Sequence, residues 1–155
     1  MSGADSSGVI APPPVLYLGT LLLGSVVHVA APLSLLSTTL AHWVAGVLLM
    51  AISAAFARWA FVTLRRAGTS ANPYQPSVAL TTTGPFRFSR NPIYLAMTGL
   101  YLGTSLLVNS VWPLLLFAPL MLVMHHGVIL KEERYLSATF GEAYAAYKSG
   151  VRRWL

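Results

Sequence analysis

Two adjacent glutamates mark the point in this sequence where charge recognition or proton transfer is most plausible. Glu132 and Glu133 are half of the four acidic residues in a chain of 155. They directly follow a long apolar run, where a carboxylate can form an ion-pair clamp with Lys131, Arg134 or the distant Arg90. The same pair can also recognise polar groups of a cofactor or accept a proton. The sequence leaves the clamp and the functional site both open.

A second group of candidate residues lies in the long connection 67–91, between two apolar runs. Its last part, together with the proline that follows, reads Thr-Thr-Thr-Gly-Pro-Phe-Arg-Phe-Ser-Arg-Asn-Pro over positions 81–92. Long ordered connections usually carry function, so we expect this segment to fold back onto the helices. The alternative is a plain interfacial anchor whose arginines stay on one face of the membrane.

Several other kinds of site are excluded or disfavoured. There is no cysteine, which removes disulfides, thiolate metal sites and cysteine nucleophiles. No G-x-G-x-x-G motif follows a strand-like run, so no soluble dinucleotide-binding domain is expected. His125 and His126 precede the two glutamates by seven residues, but ligands from one helix make a poor metal site, and we predict no metal. The net charge of +6 is confined to particular connections, and we predict no nucleic-acid partner.

The elements that must position these residues are predicted to be membrane helices. Hydrophobic residues make up 55% of the chain, charged residues only 9%, and the mean hydropathy is +0.65, which is typical of a membrane protein. Gly99 and Gly103 form a G-x-x-x-G pair that indicates close helix packing. We predict a single-domain, all-α integral membrane protein, a four-helix transmembrane bundle with spans at about 15–31, 40–64, 92–108 and 111–130.

The two flanks of this bundle should differ from each other. Residues 1–14 are predicted to be a flexible tail that ends in a stiff run of three prolines. In 131–148, Leu136, Phe140 and Tyr144 recur at helical spacing among polar residues. We therefore predict an amphipathic interfacial helix at the C-terminus.

All ten lysines and arginines lie at the ends of the second, third and fourth spans or beyond the last one. With four spans, these span ends and the segment beyond the last span lie on the same side of the membrane. The positive-inside rule then puts the central connection and both termini in the cytosol, and the protein in the cytoplasmic membrane.

A turn at 109–110 should join the last two spans into a hairpin. If the two helices are adjacent, residues equally distant from the turn lie at the same depth, so Tyr94 should lie level with His125. Arg90 and Glu133 should then differ by about one helical turn. Their long side chains can bridge that distance if both point into the bundle.

The two clusters, taken together, resemble a known family. Positions 82–94, followed after the hairpin by Glu-Glu-Arg-Tyr-Leu at 132–136 and Phe-Gly-Glu-Ala-Tyr at 140–144, are similar to the isoprenylcysteine carboxyl methyltransferase family and related phospholipid methyltransferases. The likeness covers about the C-terminal half of the chain. The family pattern reads Arg-His-Pro-x-Tyr where this chain has Asn91, and an amide cannot shuttle protons near neutrality.

This resemblance implies a methyl donor and a set of residues that bind it. The donor would be S-adenosyl-L-methionine, a zwitterion with a sulfonium, which suits a cytosolic cofactor-binding loop beside acidic and aromatic groups. Arg90 and Glu133 would act at the reacting end, the first orienting an acceptor carboxylate and the second taking a proton from an amine acceptor. The cofactor-binding residues implied by the resemblance are Val78, Ala79, Leu80, Thr81, Phe86, Asn91, Pro92, Ile93, Tyr94 and Glu132.

These expectations favour methyl transfer from S-adenosylmethionine to a lipid-like or prenylated small-molecule acceptor within the membrane lipids. Carboxyl O-methylation is preferred, and phospholipid N-methylation is the other reaction of the same class. Two different classes remain as rivals. One is a membrane reductase of the sterol-reductase type that uses NADPH, and the other is a non-enzymatic four-helix scaffold or small transporter.

Overall fold

The structure is a computed structural model that describes residues 7–37 and 40–155, and its elements are helices. In chain order they are α1 (Pro13–Ala30), α2 (Leu40–Arg66), a short 3-10 helix (Gly84–Arg87), α3 (Pro92–Val108), α4 (Val111–Met124), a π-helical turn (His125–Ile129) and α5 (Leu130–Gly150). No strand occurs in the described ranges beyond a single isolated bridge. The predicted all-α fold is confirmed.

The helices have the lengths and compositions that a bilayer requires. α1, α2 and the helical stretch Val111–Gly150, which comprises α4, the π-helical turn and the bent α5, are long and apolar enough to cross a membrane. α3 is also apolar but has 17 residues, about 26 Å of helix, which is slightly short of the ~30 Å hydrocarbon layer. A short span is accommodated by local thinning of the bilayer at modest cost.

Local sequence signals fix where these helices begin and end. Pro13 and Pro92 stand in the first turns of α1 and α3, where the missing N–H of proline costs nothing. Asn109 ends α3 in the left-handed region with φ 51°, as a C-terminal cap often does. The side chain of Ser110 then caps α4 by accepting a hydrogen bond from the N–H of Trp112 at 3.3 Å. The predicted turn at 109–110 is confirmed.

Small residues let α2 and α3 approach closely. A Cβ on Gly103 would lie 2.6 Å from Cγ of Met50 and 3.0 Å from the carbonyl oxygen of Gly46, so only glycine fits there. A Cβ on Gly99 would collide with the side chain of Ser53. The close packing expected from the G-x-x-x-G pair is therefore confirmed.

The N-terminal segment differs from the expected flexible tail. From Ser7 onward the chain packs on the bundle: Ser7 Oγ donates to the carbonyl of Pro73 at 2.7 Å, and the N–H of Ile10 donates to the carbonyl of Gly127 at 3.2 Å. The side chain of Ile10 covers Gly127, where any larger residue would collide with it. Long-range contacts of this kind leave no local sequence signal. The rest of the predicted tail, 1–6, lies outside the described residues.

A bend in α5 returns the end of the chain to the bundle. Gly141 adopts φ 53° and ψ −124°, a conformation that glycine tolerates and other residues rarely do. Beyond the bend Tyr144 is almost fully buried, and the hydroxyl of Tyr147 donates to the carbonyl of Phe86 at 2.7 Å. The helix predicted at 131–148 is thus present, and it packs against the central connection.

The predicted depths in the hairpin assumed that α3 and α4 pack side by side along their length. In the structure α3 packs mainly against α2, and α4 packs mainly against α1. The hydroxyl of Tyr94 reaches Glu132 instead of a residue near His125. The assumption of adjacent helices was wrong, although the conclusion that the two polar clusters meet does not depend on it.

Candidate cofactor site

A cavity of about 560 Å³ opens where the central connection, the start of α3 and the start of α5 meet. This volume lies within the ~300–1,000 Å³ typical of small-molecule sites. Its walls are mostly apolar and aromatic, with a few polar groups among them. The residues that line it include Phe61, Leu64, Thr81, Phe86, Arg90, Ile93, Tyr94, Met97, Glu132, Glu133 and Tyr144.

One hydrogen bond joins the two sequence clusters across this cavity. The hydroxyl of Tyr94, in the first turn of α3, donates to Oε1 of Glu132, in the first turn of α5, at 2.6 Å. Glu132 follows the predicted last span. Burial raises the pKa of Glu132 to about 7, and the hydrogen bond from Tyr94 only partly opposes this shift. A carboxylate in such a place favours a cationic or hydrogen-bond-donating ligand.

The central connection forms one wall and is held in place by its own polar groups. Thr69 Oγ1 donates to the carbonyl of Ala79 at 3.0 Å and accepts from its N–H at 3.1 Å, which closes the loop between them. The N–H of Ser77 donates to the hydroxyl of Tyr135 on α5 at 3.0 Å. The expectation that this connection folds back onto the helices is confirmed.

Thr81 lines the cavity and has an unused hydrogen-bonding group. The residue is 8% exposed, and its hydroxyl has no partner among the described residues. Buried hydroxyls are normally paired, because leaving one unpaired costs about 1–3 kcal/mol. A ligand in the cavity would supply that partner, so Thr81, Tyr94 and Glu132 together fit a polar cofactor.

Glu133, unlike its neighbour, is fully engaged by protein groups. Arg153 holds both carboxylate oxygens, with Nε to Oε1 and Nη2 to Oε2 each at 2.9 Å. Arg90 Nη1 lies 3.1 Å from Oε1, and Lys148 Nζ lies 3.9 Å from Oε2. Burial alone would raise the pKa of Glu133, but the hydrogen bonds from Arg153 and the nearby positive charges outweigh it and lower that pKa.

This arrangement bears on both interpretations of the glutamate pair. The predicted ion-pair clamp exists at Glu133, with Arg90 as one predicted partner, but Lys131 and Arg134 do not join it. Lys131 donates to the carbonyl of Gly8 at 2.9 Å instead. A carboxylate with a lowered pKa and both oxygens occupied is a poor proton acceptor, so Glu133 is unsuited to the base role expected for an amine acceptor.

The end of the chain is fixed to the start of α3 by backbone contacts. The N–H of Arg90 donates to the carbonyl of Arg152 at 2.9 Å. Asn91 Nδ2 and Ser89 Oγ donate to the carbonyl of Arg153 at 3.0 and 3.2 Å. Asn91, the departure from the family pattern, therefore serves as a tie between these two segments.

The structure brings nearly all the predicted site residues to one place. Val78 is the exception, since it is 75% exposed and lies outside the cavity lining. Those that line the cavity are Ala79, Leu80, Thr81, Phe86, Arg90, Asn91, Pro92, Ile93, Tyr94, Glu132 and Glu133. The lining residues that sequence reasoning missed include Phe61, Leu64, Met97, Tyr135, Tyr144 and Tyr147. It also missed Arg153, which holds Glu133 from outside the lining.

The histidine pair takes no part in this site. The rings of His125 and His126 stack edge to face, 4.8 Å apart, within the π-helical turn. In the parts of the chain that the structure describes, no three or more residues of the types that bind metal ions come together.

Comparison with known proteins agrees with this architecture. A sequence profile of the family described as phospholipid methyltransferase matches residues 40–143. The chain belongs to the phospholipid methyltransferase family. The matched stretch runs from α2 into the bend of α5 and contains both polar clusters. Membership, together with helices long and apolar enough to cross a bilayer, indicates an integral membrane methyltransferase.

One relative matches a shorter stretch of the chain. An uncharacterized protein of Haemophilus influenzae is 44% identical over 63 residues, which is 41% of this chain and 89% of the relative. No solved structure matches the chain significantly. Family membership favours methyl transfer over the reductase and scaffold alternatives. Arg153 lies beyond the stretch that the family profile matches.

Proposed function

We propose that this protein transfers a methyl group from S-adenosyl-L-methionine to a lipid-like acceptor at the cytosolic face of the cytoplasmic membrane. The contact between Tyr94 and Glu132 carries the proposal, because it joins the two family motifs in one cavity of suitable size. The family profile supports the reaction class. The gathering of lysines and arginines at this end of the bundle supports the cytosolic orientation.

The residues that would hold the cofactor line the cavity and offer it an unpaired hydroxyl, a carboxylate or aromatic surface. Thr81 offers a free hydroxyl, Glu132 offers a buried carboxylate, and Phe86 and Tyr94 offer aromatic surface. When bound, the cofactor supplies a methyl group on a positively charged sulfur. Carboxylates and aromatic rings stabilise such a cation in a site shielded from water.

The remaining wall suits the acceptor. Arg90 lines the cavity, and its buried guanidinium keeps two nitrogens, Nε and Nη1, without hydrogen-bond partners among the described residues. Such a group orients a carboxylate well. Phe61, Leu64 and Met97 form an apolar wall beside it, and Phe61 is exposed on the outer surface of α2. A lipid chain could enter laterally at this wall while its polar head meets Arg90.

Carboxyl O-methylation fits this site best. A carboxylate oxygen is already a nucleophile and loses no proton on methylation, so orientation by Arg90 suffices. N-methylation of an aminophospholipid is the second candidate, since the family description names phospholipids. An ammonium acceptor must lose a proton first, and Glu132, with its raised pKa, is better suited than Glu133 to take it.

Transfer of a labelled methyl group separates these reactions. The purified full chain is incubated with methyl-labelled S-adenosylmethionine and vesicles that contain either N-acetyl-S-farnesylcysteine or phosphatidylethanolamine. We expect label in the farnesylcysteine that mild base releases as methanol, because esters hydrolyse and N-methyl groups do not. Base-stable label in phosphatidylethanolamine alone would favour N-methylation. Label in neither acceptor, with cofactor bound, would exclude both as acceptors. Glu132→Gln, at a cofactor concentration that saturates only the wild type, serves as the control with reduced transfer.

A further inference from the structure

We propose that Arg153 is a positioning residue that keeps Arg90 free to bind the anionic group of the acceptor. The inference rests on the proposed function, because it assigns part of the same cavity to acceptor recognition. Arg153 lies outside the stretch matched by the family profile and outside the cavity lining. Its role is therefore exerted through another residue.

The first observation is that Arg153 satisfies Glu133 completely. Its guanidinium grips both oxygens in a two-pronged pair, each bond being 2.9 Å long. This parallel geometry is the strongest that an arginine and a carboxylate form. Glu133 is only 7% exposed, so it needs such a partner, and Arg153 donates hydrogen bonds to both of its oxygens, while Arg90 adds only an ion pair at Oε1.

The second observation is that Arg90 retains unused donors. Its side chain is 9% exposed, and Nη1 lies 3.1 Å from Glu133 Oε1, close enough for an ion pair. That contact lacks hydrogen-bond alignment, and both Nε and Nη1 have no hydrogen-bond partner in the described chain. A buried guanidinium with two unpartnered nitrogens that lines a cavity is suited to an anion with paired oxygens.

Competition for Glu133 links the two observations. Without Arg153, the carboxylate of Glu133 would have free oxygens within reach of Arg90, and the two would align as a direct pair. The donors of Arg90 would then turn from the cavity toward Glu133. Arg153 prevents this, and its position is fixed because its own carbonyl accepts hydrogen bonds from Asn91 and Ser89.

The anion recognised has the chemistry of a carboxylate or a phosphate group on an apolar chain. Two probes distinguish these sources. N-acetyl-S-farnesylcysteine carries a carboxylate, and its methyl ester is the matched neutral compound. Dihexanoyl phosphatidic acid carries a phosphate, with dihexanoylglycerol as its neutral match.

The test measures probe binding to the full chain in detergent, with S-adenosylhomocysteine present. Arg153→Ala should weaken binding of the preferred anionic probe about tenfold, and Arg153→Lys, which keeps the charge but not the two-pronged geometry, should have an intermediate effect. Binding of the neutral match and of S-adenosylhomocysteine should change less than about twofold. Arg152→Ala is the matched control, because Arg152 is exposed and contributes only its backbone to the site.

Each of the other possible outcomes would overturn one part of this proposal. Equal weakening of the anionic and the neutral probe by Arg153→Ala would show a merely structural role. If Arg153→Ala left binding of the anionic probe unchanged, the proposed competition between Arg153 and Arg90 for Glu133 would be refuted. Wild-type protein that does not prefer either anion over its neutral match would contradict an anion site at Arg90. Wild-type protein that binds no S-adenosylhomocysteine would instead refute the proposed function, so the two failures are distinguishable.

Discussion

Replacing Glu132 with glutamine removes a negative charge from the cavity and leaves a side chain of nearly the same size. The amide can still accept the hydrogen bond that Tyr94 donates at 2.6 Å, so the wall should keep its shape. A hydrogen bond to a charged group is worth about 1.5–3 kcal/mol, and each ~1.4 kcal/mol is tenfold in affinity. We therefore expect Glu132→Gln to weaken binding of S-adenosylmethionine by about ten- to a hundredfold.

The raised pKa of Glu132 adds a pH signature to this variant. Burial raises that pKa to about 7, so the carboxyl of the free protein is mostly protonated at about pH 6 and mostly ionised at about pH 8. A cationic ligand prefers the ionised form, and binding should draw the proton off. Affinity in the wild type should therefore fall as pH decreases through this range, while the glutamine variant should show little dependence.

Isothermal titration of the purified full chain in detergent measures both effects. Glu142→Gln is the matched control, because Glu142 is an exposed glutamate on the same helix. It should bind like the wild type at every pH. An affinity of Glu132→Gln within about twofold of the wild type, or the same pH profile in both, would show that Glu132 is not part of the cofactor site.

Three further predictions concern other parts of the molecule. Thr81→Val should leave stability unchanged or slightly higher, since the hydroxyl has no partner, but should cost about 0.5–1.5 kcal/mol in cofactor binding; unchanged binding would contradict its role. Gly103→Ala should lower the free energy of unfolding by about 1–3 kcal/mol, whereas Gly19→Ala, where a Cβ meets open space, should change it by no more than about 0.5 kcal/mol. Equal melting temperatures of the two variants would contradict the tight contact at Gly103. Because the chain has no cysteine, Ser149→Cys and Ser37→Cys report orientation: an impermeant maleimide should label only the second in intact cells, and the reverse would refute the cytosolic site.

Local patterns in the sequence were enough to predict the helices and most of their ends, whereas the end of α4 at Met124, before the predicted end at 130, was not predicted. Long apolar runs predicted the spans, and Pro92 and Asn109 marked the ends of α3 because their backbone preferences hold in any context. The folding back of the central connection was also predictable, because it combines aromatic and basic residues with turn-forming ones. The resemblance to the family then added eleven of the residues that line the cavity.

Contacts between distant segments could not be predicted in this way. Arg153 was indistinguishable from any basic residue near the end of a membrane protein, and only the bend at Gly141 brings it to Glu133. The docking of Ile10 on Gly127 depends likewise on the shape of a π-helical turn that composition does not reveal. Such contacts are set by packing between elements, which acts after the local pattern has formed them.

The choice of the cavity between two cofactors, measured by separate titrations, tests the central claim most directly. We propose that one cavity, walled by Thr81, Tyr94 and Glu132, binds an S-adenosyl compound. Titration of the wild-type full chain should therefore show saturable binding of S-adenosylhomocysteine with one site per chain, and no heat with NADPH. Binding of NADPH in place of S-adenosylhomocysteine, or of neither compound by a chain that remains folded, would contradict it.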